Sequence, residues 1–434
     1  MRLLRVWMNG ELVGAWSVDR GAHAFEYSTS WLKSPHCRPL SLSLPLHSSS
    51  VIKGASVKNY FDNLLPDNEK IRARIAQRFQ TSADVFHLLA AIGRDCVGAV
   101  QILPDGMAPE NWQQINAKVL SNQDIAQRIH ELPSNAIPLH EDELFRISIA
   151  GAQEKTAFTF WQERWCLPQG LTPSTHIFKP VLGLIGLGNA AVDASDSVYN
   201  EWLCAQILAA LGLPTANTNI AYFAQEPILV VERFDRAWQE NGKWIARLPQ
   251  EDFCQALGFA PDKKYQQYGG PSMQQCLQLL QGSNEKTDPG FFMLAQFAFY
   301  LLAAPDGHAK NFSIFLHANH AYQMTPLYDV ISAWPYIGNR HNQLSPHKVG
   351  LAMALRGKNA HYRFKEMHAR HWHQMAMQYG GIIVWQLIQA CAQRVETALQ
   401  QVEATLPPDF PAHTWQSIAS GMRTHAQRFI QEVR

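Results

Sequence analysis

Between residues 291 and 329 a long apolar run gives way at Pro305 to a short polar stretch, and no other segment restricts the fold so strongly. From Ala304 it reads APDGHAKNFSIFLHANHAYQMTPLYD. The apolar run over 291–302 predicts a buried helix, and Pro305 with Gly307 end it. Asp306 therefore falls at a helix-to-loop junction. NFSIFL and AYQMTP then predict two short strands joined by HANH. That hairpin would carry Asn311, five residues after Asp306, and Asp329, eighteen residues further on, back to one edge.

A carboxylate, an amide oxygen and a second carboxylate held together are what phosphoryl transfer requires. The first accepts or orients a hydroxyl proton, and the other two hold Mg²⁺ against the phosphates of a nucleotide. Protein kinases use the same Asp-x-x-x-x-Asn spacing followed by a metal-binding Asp. Asp, Gly and Asn are also ordinary residues of solvated turns, so the spacing alone leaves both readings open.

Upstream residues add to the set. From residue 144 the pattern becomes strand-like: LFRISI, TAFTFW, RWCLP and THIFKP. Between the first two lies Ser148-Ile-Ala-Gly-Ala-Gln-Glu-Lys155, a small-residue turn whose backbone N–H groups can reach phosphate oxygens, although it has a single glycine and no Walker A motif occurs in the chain. Lys179 shares a strand face with Ile177. On the helix expected over 195–211, Glu201 shares a stripe with Val198, Ala205 and Leu208. A Lys179–Glu201 pair is the arrangement that positions α- and β-phosphates in kinases, with a surface ion pair as the plain alternative. PILVVERFDR reads as a buried strand that becomes charged at Glu232. In a two-lobed nucleotide enzyme this is where a hinge offers backbone groups to adenine, and Glu232, Arg233 and Phe234 are the candidates.

The first hundred residues open with alternating runs around Asn9-Gly10, a strong hairpin signal. A helix beginning near Pro66 and Asp67, with Ile71, Ile75 and Phe79 on one face, follows, then a helix over 84–91 and a strand over 97–103. No polar cluster in this region has catalytic spacing, so it reads as a structural or partner-docking module. Residues 104–111 form a plausible junction ahead of a helix over 124–132. Beyond Asp329 the tail predicts helices over 361–379, 382–404 and 413–431. His368 and His371 share a helix face, but an ordinary basic surface is the better reading, since no Cys or carboxylate cluster completes a metal site.

Composition bounds the setting. The 434 residues are 17% charged and 47% hydrophobic, with a net charge of +1 and no low-complexity tract. Two or three folded domains fit this, and no general pull toward polyanions follows. The seven cysteines are scattered and never in a CxxC pair, which predicts reduced thiols in a cytoplasm. No signal peptide is visible, and no apolar stretch is long enough to span a bilayer.

Taken together, WMNGELVG, RPLSLSLPL, FDNLLPD, IGRDCVGAV, ISIAGAQEKTA, VERFDR, LPQEDFCQ, DGHAKNFS and PLYDVISA resemble the HipA family of bacterial serine/threonine kinase toxins over nearly the whole chain. The resemblance implies an α+β, two-lobed, protein-kinase-like fold with a β-rich N-terminal lobe and an all-helical C-terminal lobe. Three domains are expected: 1–105 as an N-terminal subdomain, 106–250 with phosphate loop and hinge, and 251–434 with the catalytic loop. The family also implies ATP and Mg²⁺ as cofactors and Asp306 as the catalytic base, with Asn311 and Asp329 as metal ligands. Ala150, Gly151, Ala152, Gln153, Glu154 and Lys155 would cover the phosphates and Lys179 would bind them. Glu232, Arg233 and Phe234 would hold adenine, and His308, Lys310 and Tyr328 would line the nucleotide pocket. Ser148 matches the autophosphorylated serine, whose phosphate would repel ATP and make the reaction self-limiting.

Implied partners are a HipB-like helix-turn-helix antitoxin, which would make contact with DNA mainly indirect, and a protein substrate whose best-known example is glutamyl-tRNA synthetase. Arg356, Lys358, Arg363, Lys365 and Arg370 offer a modest basic patch. Two other readings stay open: a small-molecule phosphotransferase, and a non-enzymatic corepressor that docks an antitoxin.

Overall fold

The structure is a computed structural model, which describes residues 2–46, 51–132, 153–187 and 190–433. The expected strand over 144–149 lies outside the described residues. Contacts divide the chain into two compact units. Unit 1 comprises Met1–Pro180, Ala221–Lys264 and Ser313–Tyr322, and unit 2 comprises Val181–Ile220, Tyr265–Phe312 and Gln323–Arg434.

Unit 1 begins with the expected hairpin. Arg2–Met8 pairs antiparallel with Glu11–Asp19 across Asn9 and Gly10, both at positive φ. Such a two-residue turn matches the twist of its strands, and this is why Asn-Gly is favoured there. Ala22–Tyr27 and Val100–Pro104 extend the sheet on opposite sides. One face is packed by helices Ala55–Asp62 and Val85–Ile92, with Trp16 stacked on Phe61 at 3.9 Å between ring centroids. The helix expected from Pro66 starts three residues later. It spans Glu69–Arg78, and the side chain of Asn68 caps it by accepting from the Lys70 N–H at 2.9 Å.

Five strands of a second, six-stranded sheet lie in unit 1, in the order Glu226–Glu232, His176–Lys179, Thr156–Trp161, Arg164–Pro168 and Ala117–Val119. Phe158, Phe178, Ile228 and Val230 pack there against Ile125 and Ile129 of helix Asn122–His130. Gln250–Asp252 pairs with Ser313–Leu316. Between those strand residues, Glu251 is fully buried, and its Oε1 accepts from the Leu42 N–H at 2.8 Å. Burial, with Asp252 alongside, pushes this carboxyl up to about 8.

Unit 2 is built on helix Asp288–Leu302. Its residues are buried all round, as expected of a helix without a polar face. Phe297 meets Trp372 and Phe429, and Tyr300 stacks on His425 at 4.4 Å. These partners come from helices Ala369–Tyr379 and Ala412–Val433, and Gly381–Glu403 packs on the same helix.

The tail differs from expectation at its start. Residues 361–368 are not α-helical: Gly350–Arg356 and Ala360–Arg363 form a strand pair, Phe364–Glu366 makes a single 3₁₀ turn, and the α-helix begins only at Ala369. The reason is the continuous apolar run from Leu351 to Leu355, which buries as a strand and recruits the following residues as its partner. All seven cysteines are free thiols. Among the described residues no helix is long and apolar enough to cross a membrane.

Candidate active site

The central helix of unit 2 stops in a defined way. Ala303 takes the left-handed conformation at φ 47°, and the Ala304 N–H bonds back to Phe299 O at 2.9 Å. Pro305 prevents continuation, and the chain turns tightly. The His308 N–H donates to Asp306 O at 2.8 Å, the Asn311 N–H to His308 O at 2.9 Å, and Ala309–Asn311 forms one 3₁₀ turn. Gly307 is required by close approach, because a Cβ there would lie 2.4 Å from Phe299 Cδ2. Asp306 thus stands at the junction, with its carboxylate 55% exposed.

Asn311 is buried and its side-chain N–H donates to Asp306 O at 2.7 Å. With the NH₂ end held this way, the amide oxygen points elsewhere and is the atom suited to a cation. Buried Lys310 accepts at its carbonyl from the Tyr328 hydroxyl at 2.9 Å. That bond ties the residue before Asp329 to the residue before Asn311. Leu327 is fixed in turn by backbone bonds with Pro214 and Ala216. Asp329 itself sits at φ 60°, a conformation that costs a non-glycine residue and is concentrated at functional sites. Oxygen donors of this kind, one amide and one carboxylate, fit Mg²⁺ better than a softer metal.

Around Asp306 two further groups gather. His308 is 3% exposed, and its Nε2 lies 3.8 Å from Asp306 Oδ1. The Tyr265 hydroxyl donates to the same oxygen, and its ring stands edge-on to His308 at 4.9 Å. Tyr265 was not among the sequence candidates, since a lone tyrosine in a loop leaves no signal in spacing or periodicity.

Unit 1 holds most of the other candidates. Lys179 is buried at the end of a strand paired on both sides, opposite Leu229. Gln153 donates to Pro180 O at 2.8 Å, and the Glu154 carboxylate accepts from Arg74. Glu154 is therefore engaged by an arginine of the first hundred residues. Ser148, Ala150, Gly151 and Ala152 lie outside the described residues, and Lys155 is half-buried. Glu201, expected beside Lys179, is buried in helix Ser197–Ala210 of unit 2.

Of the three hinge candidates, Arg233 is occupied throughout. Its N–H bonds to Thr175 O, its carbonyl accepts from the Arg236 N–H, and its guanidinium is buried against Asp235, Ser174 and Cys96. Glu232 is exposed, and the half-buried Phe234 meets Phe315 edge-on. The change from apolar to charged at Glu232 pointed to all three without separating the inward residue from its neighbours.

Two family patterns match the chain: "HipA N-terminal domain" over residues 4–103 and "HipA-like C-terminal domain" over residues 147–407. The chain belongs to the HipA family. Y4mE of Sinorhizobium fredii, which carries a kinase name, is 34% identical over 393 residues, covering 88% of this chain and 86% of the relative. The serine/threonine-protein kinase toxin HipA of Shewanella oneidensis is 28% identical over 348 residues, covering 77% and 76%. The fold is that of HipA in the solved complex of Shewanella oneidensis HipA, HipB and operator DNA, with TM-score 0.80, 24% identity and coverage of 99% and 98%. This HipA-family chain is thus an α+β kinase-like protein whose relatives are named as kinases and as a toxin.

Proposed function

We propose that the protein is an ATP- and Mg²⁺-dependent serine/threonine kinase toxin acting on a protein substrate. The observation that carries this is the turn from Asp306 to Asn311, tethered through Lys310 and Tyr328 to the strained Asp329. In this reading Asp306 orients the acceptor hydroxyl and takes its proton. Asn311 Oδ1 and Asp329 hold Mg²⁺, which when bound neutralises charge on the phosphates. His308, Lys310 and Tyr328 line the nucleotide pocket in unit 2. Lys179 and the residues from Ala150 to Lys155 are the proposed phosphate-binding set, and Glu232, Arg233 and Phe234 form the proposed adenine hinge. Ser148 is the proposed autophosphorylation site, where a phosphate of nearly two negative charges opposes ATP binding.

The partner proposed is a HipB-like antitoxin, by analogy with the Shewanella oneidensis complex, which also contains operator DNA. DNA contact by this chain is proposed to be mainly indirect. Glutamyl-tRNA synthetase is the first protein substrate to assay, and a cytoplasmic site of action follows from it.

The test is peptide mass spectrometry of the wild-type protein and Asp306→Asn after incubation with ATP and Mg²⁺. Phosphate on Ser148 in the wild type alone supports the reading. Phosphate on neither protein, together with binding of a helix-turn-helix partner by both, supports a corepressor instead.

A further inference from the structure

Three segments of unit 1 far apart in sequence meet in one buried cluster of charge. Asp95 is at its centre. Its Oδ1 lies 3.1 Å from Arg236 Nη2 and 3.2 Å from Arg247 Nη2. Its Oδ2 lies 3.6 Å from Arg233 Nη1 and accepts from both the hydroxyl and the N–H of Ser174, at 2.7 and 3.1 Å. Asp235 completes the cluster, accepting from Arg233 at 3.0 and 2.8 Å, from Arg236 Nη1 at 2.9 Å and from the Gly98 N–H at 2.7 Å. Cys96 O accepts from Arg233 and Arg236. The five charged side chains are at most 6% exposed.

Adhesion alone does not call for such a cluster, because well-packed apolar side chains hold segments together at least as well as buried ion pairs. What the cluster adds is direction. Arg233 lies between Glu232 and Phe234, and every polar group it has is committed: N–H to Thr175, carbonyl to Arg236, guanidinium to Asp235, Ser174 and Cys96. The backbone of 232–234 is thereby held in one register. The same cluster binds residues 95–98 and 247, and the Asn9 amide reinforces it by two bonds to the Arg247 backbone at 2.8 and 3.0 Å.

We infer that Asp95 is a positioning residue for adenine: through Arg233 it fixes the backbone of Glu232 and Phe234, so that the N-terminal module sets nucleotide affinity without touching the nucleotide. This rests on the reading of 232–234 as the adenine hinge. The module is then more than a docking surface, and its IGRDCVGAV segment has a role that spacing did not suggest.

The experiment uses the full chain. Asp95→Asn leaves three guanidinium groups against one carboxylate and is expected to lower the melting temperature. Asp95→Asn with Arg247→Met restores the original excess of one positive charge, and keeps the test informative if the single variant fails to fold. Calorimetry then compares ATP with inorganic tripolyphosphate, which lacks adenine. The folded double variant is expected to bind ATP about tenfold more weakly, the equivalent of one lost hydrogen bond, while tripolyphosphate binding is unchanged. Unchanged ATP binding would make Asp95 purely structural and overturn the inference. So would an equal loss for both ligands, which reports general loosening. A wild-type protein that binds neither ligand would sink the kinase reading itself, a result distinguishable from the other two.

Discussion

The hydroxyl of Tyr265 donates to the carboxylate of Asp306. It occupies the oxygen that an acceptor hydroxyl needs in the proposed reaction, and the aromatic contact with His308 holds the ring there. Tyr265→Phe removes the competing donor and keeps the ring. The Michaelis constant for the protein substrate is expected to fall about threefold to tenfold, the worth of one hydrogen bond, with kcat little changed. Steady-state kinetics with varied acceptor checks this, and a raised constant would instead make Tyr265 an orienting group.

Asp306→Asn keeps the size of the side chain and removes its basicity. Transfer is expected to slow by about 10²- to 10⁴-fold, the range for loss of a general base. The carboxylate is largely exposed and the backbone carbonyl that binds Asn311 is untouched, so the melting temperature should stay the same. Stopped-time phosphorylation assays beside a thermal melt separate the two effects.

Asp329 pays a conformational cost at φ 60° that glycine avoids. Asp329→Gly removes that cost together with the carboxylate, and is expected to abolish Mg²⁺-dependent transfer while changing the stability of the fold by no more than about 1 kcal/mol. A denaturant melt together with a Mg²⁺ titration of activity reads both quantities. A larger loss of stability would show that the carboxylate is a structural anchor.

Gly307→Ala drives a methyl group into Phe299, and is expected to destabilise the protein by about 1–3 kcal/mol. Because Gly307 follows Asp306, activity should fall in the fraction that stays folded. Adding Phe299→Leu makes room and should recover part of both, which a melt and an activity assay on the double variant would report.

Glu251 sets a dependence on pH. Its carboxyl is pushed up to about 8 in the fold, whereas in the unfolded chain it titrates near the ordinary value of 4.5. Between these values the folded state holds the extra proton, so stability falls as pH rises through the window. Glu251→Gln removes the titration, and is expected to stabilise the protein by about 1–3 kcal/mol near pH 9 relative to its effect near pH 5. Denaturant melts at the two pH values give the difference, and equal effects at both would remove Glu251 from the account.

Much of this architecture was legible because local signals and burial agree. Asn9-Gly10 dictates its hairpin, and the apolar run ending at Pro305 dictates the helix stop that presents Asp306. The strand pair at 350–363 was hidden because Leu351 to Leu355 is apolar throughout, and such a run carries no period to tell strand from helix. At the site, the Asp-x-x-x-x-Asn spacing was readable, but not the tether from Tyr328 to Lys310. Asp95 with Arg233 and Tyr265 with Asp306 were invisible for the same reason: each pair is distant in sequence and brought together only by tertiary packing.

The interleaving of the two units has a consequence for biosynthesis. Unit 1 is not complete until its last segment, which ends at Tyr322, has left the ribosome, because strand Ser313–Leu316 supplies the edge on which Gln250–Asp252 pairs. The N-terminal sheet can form early, while the strand bearing Glu251 waits for a partner made more than sixty residues later. A nascent chain that stalls in this interval exposes an unpaired strand edge, the kind of surface that chaperones bind and that aggregates.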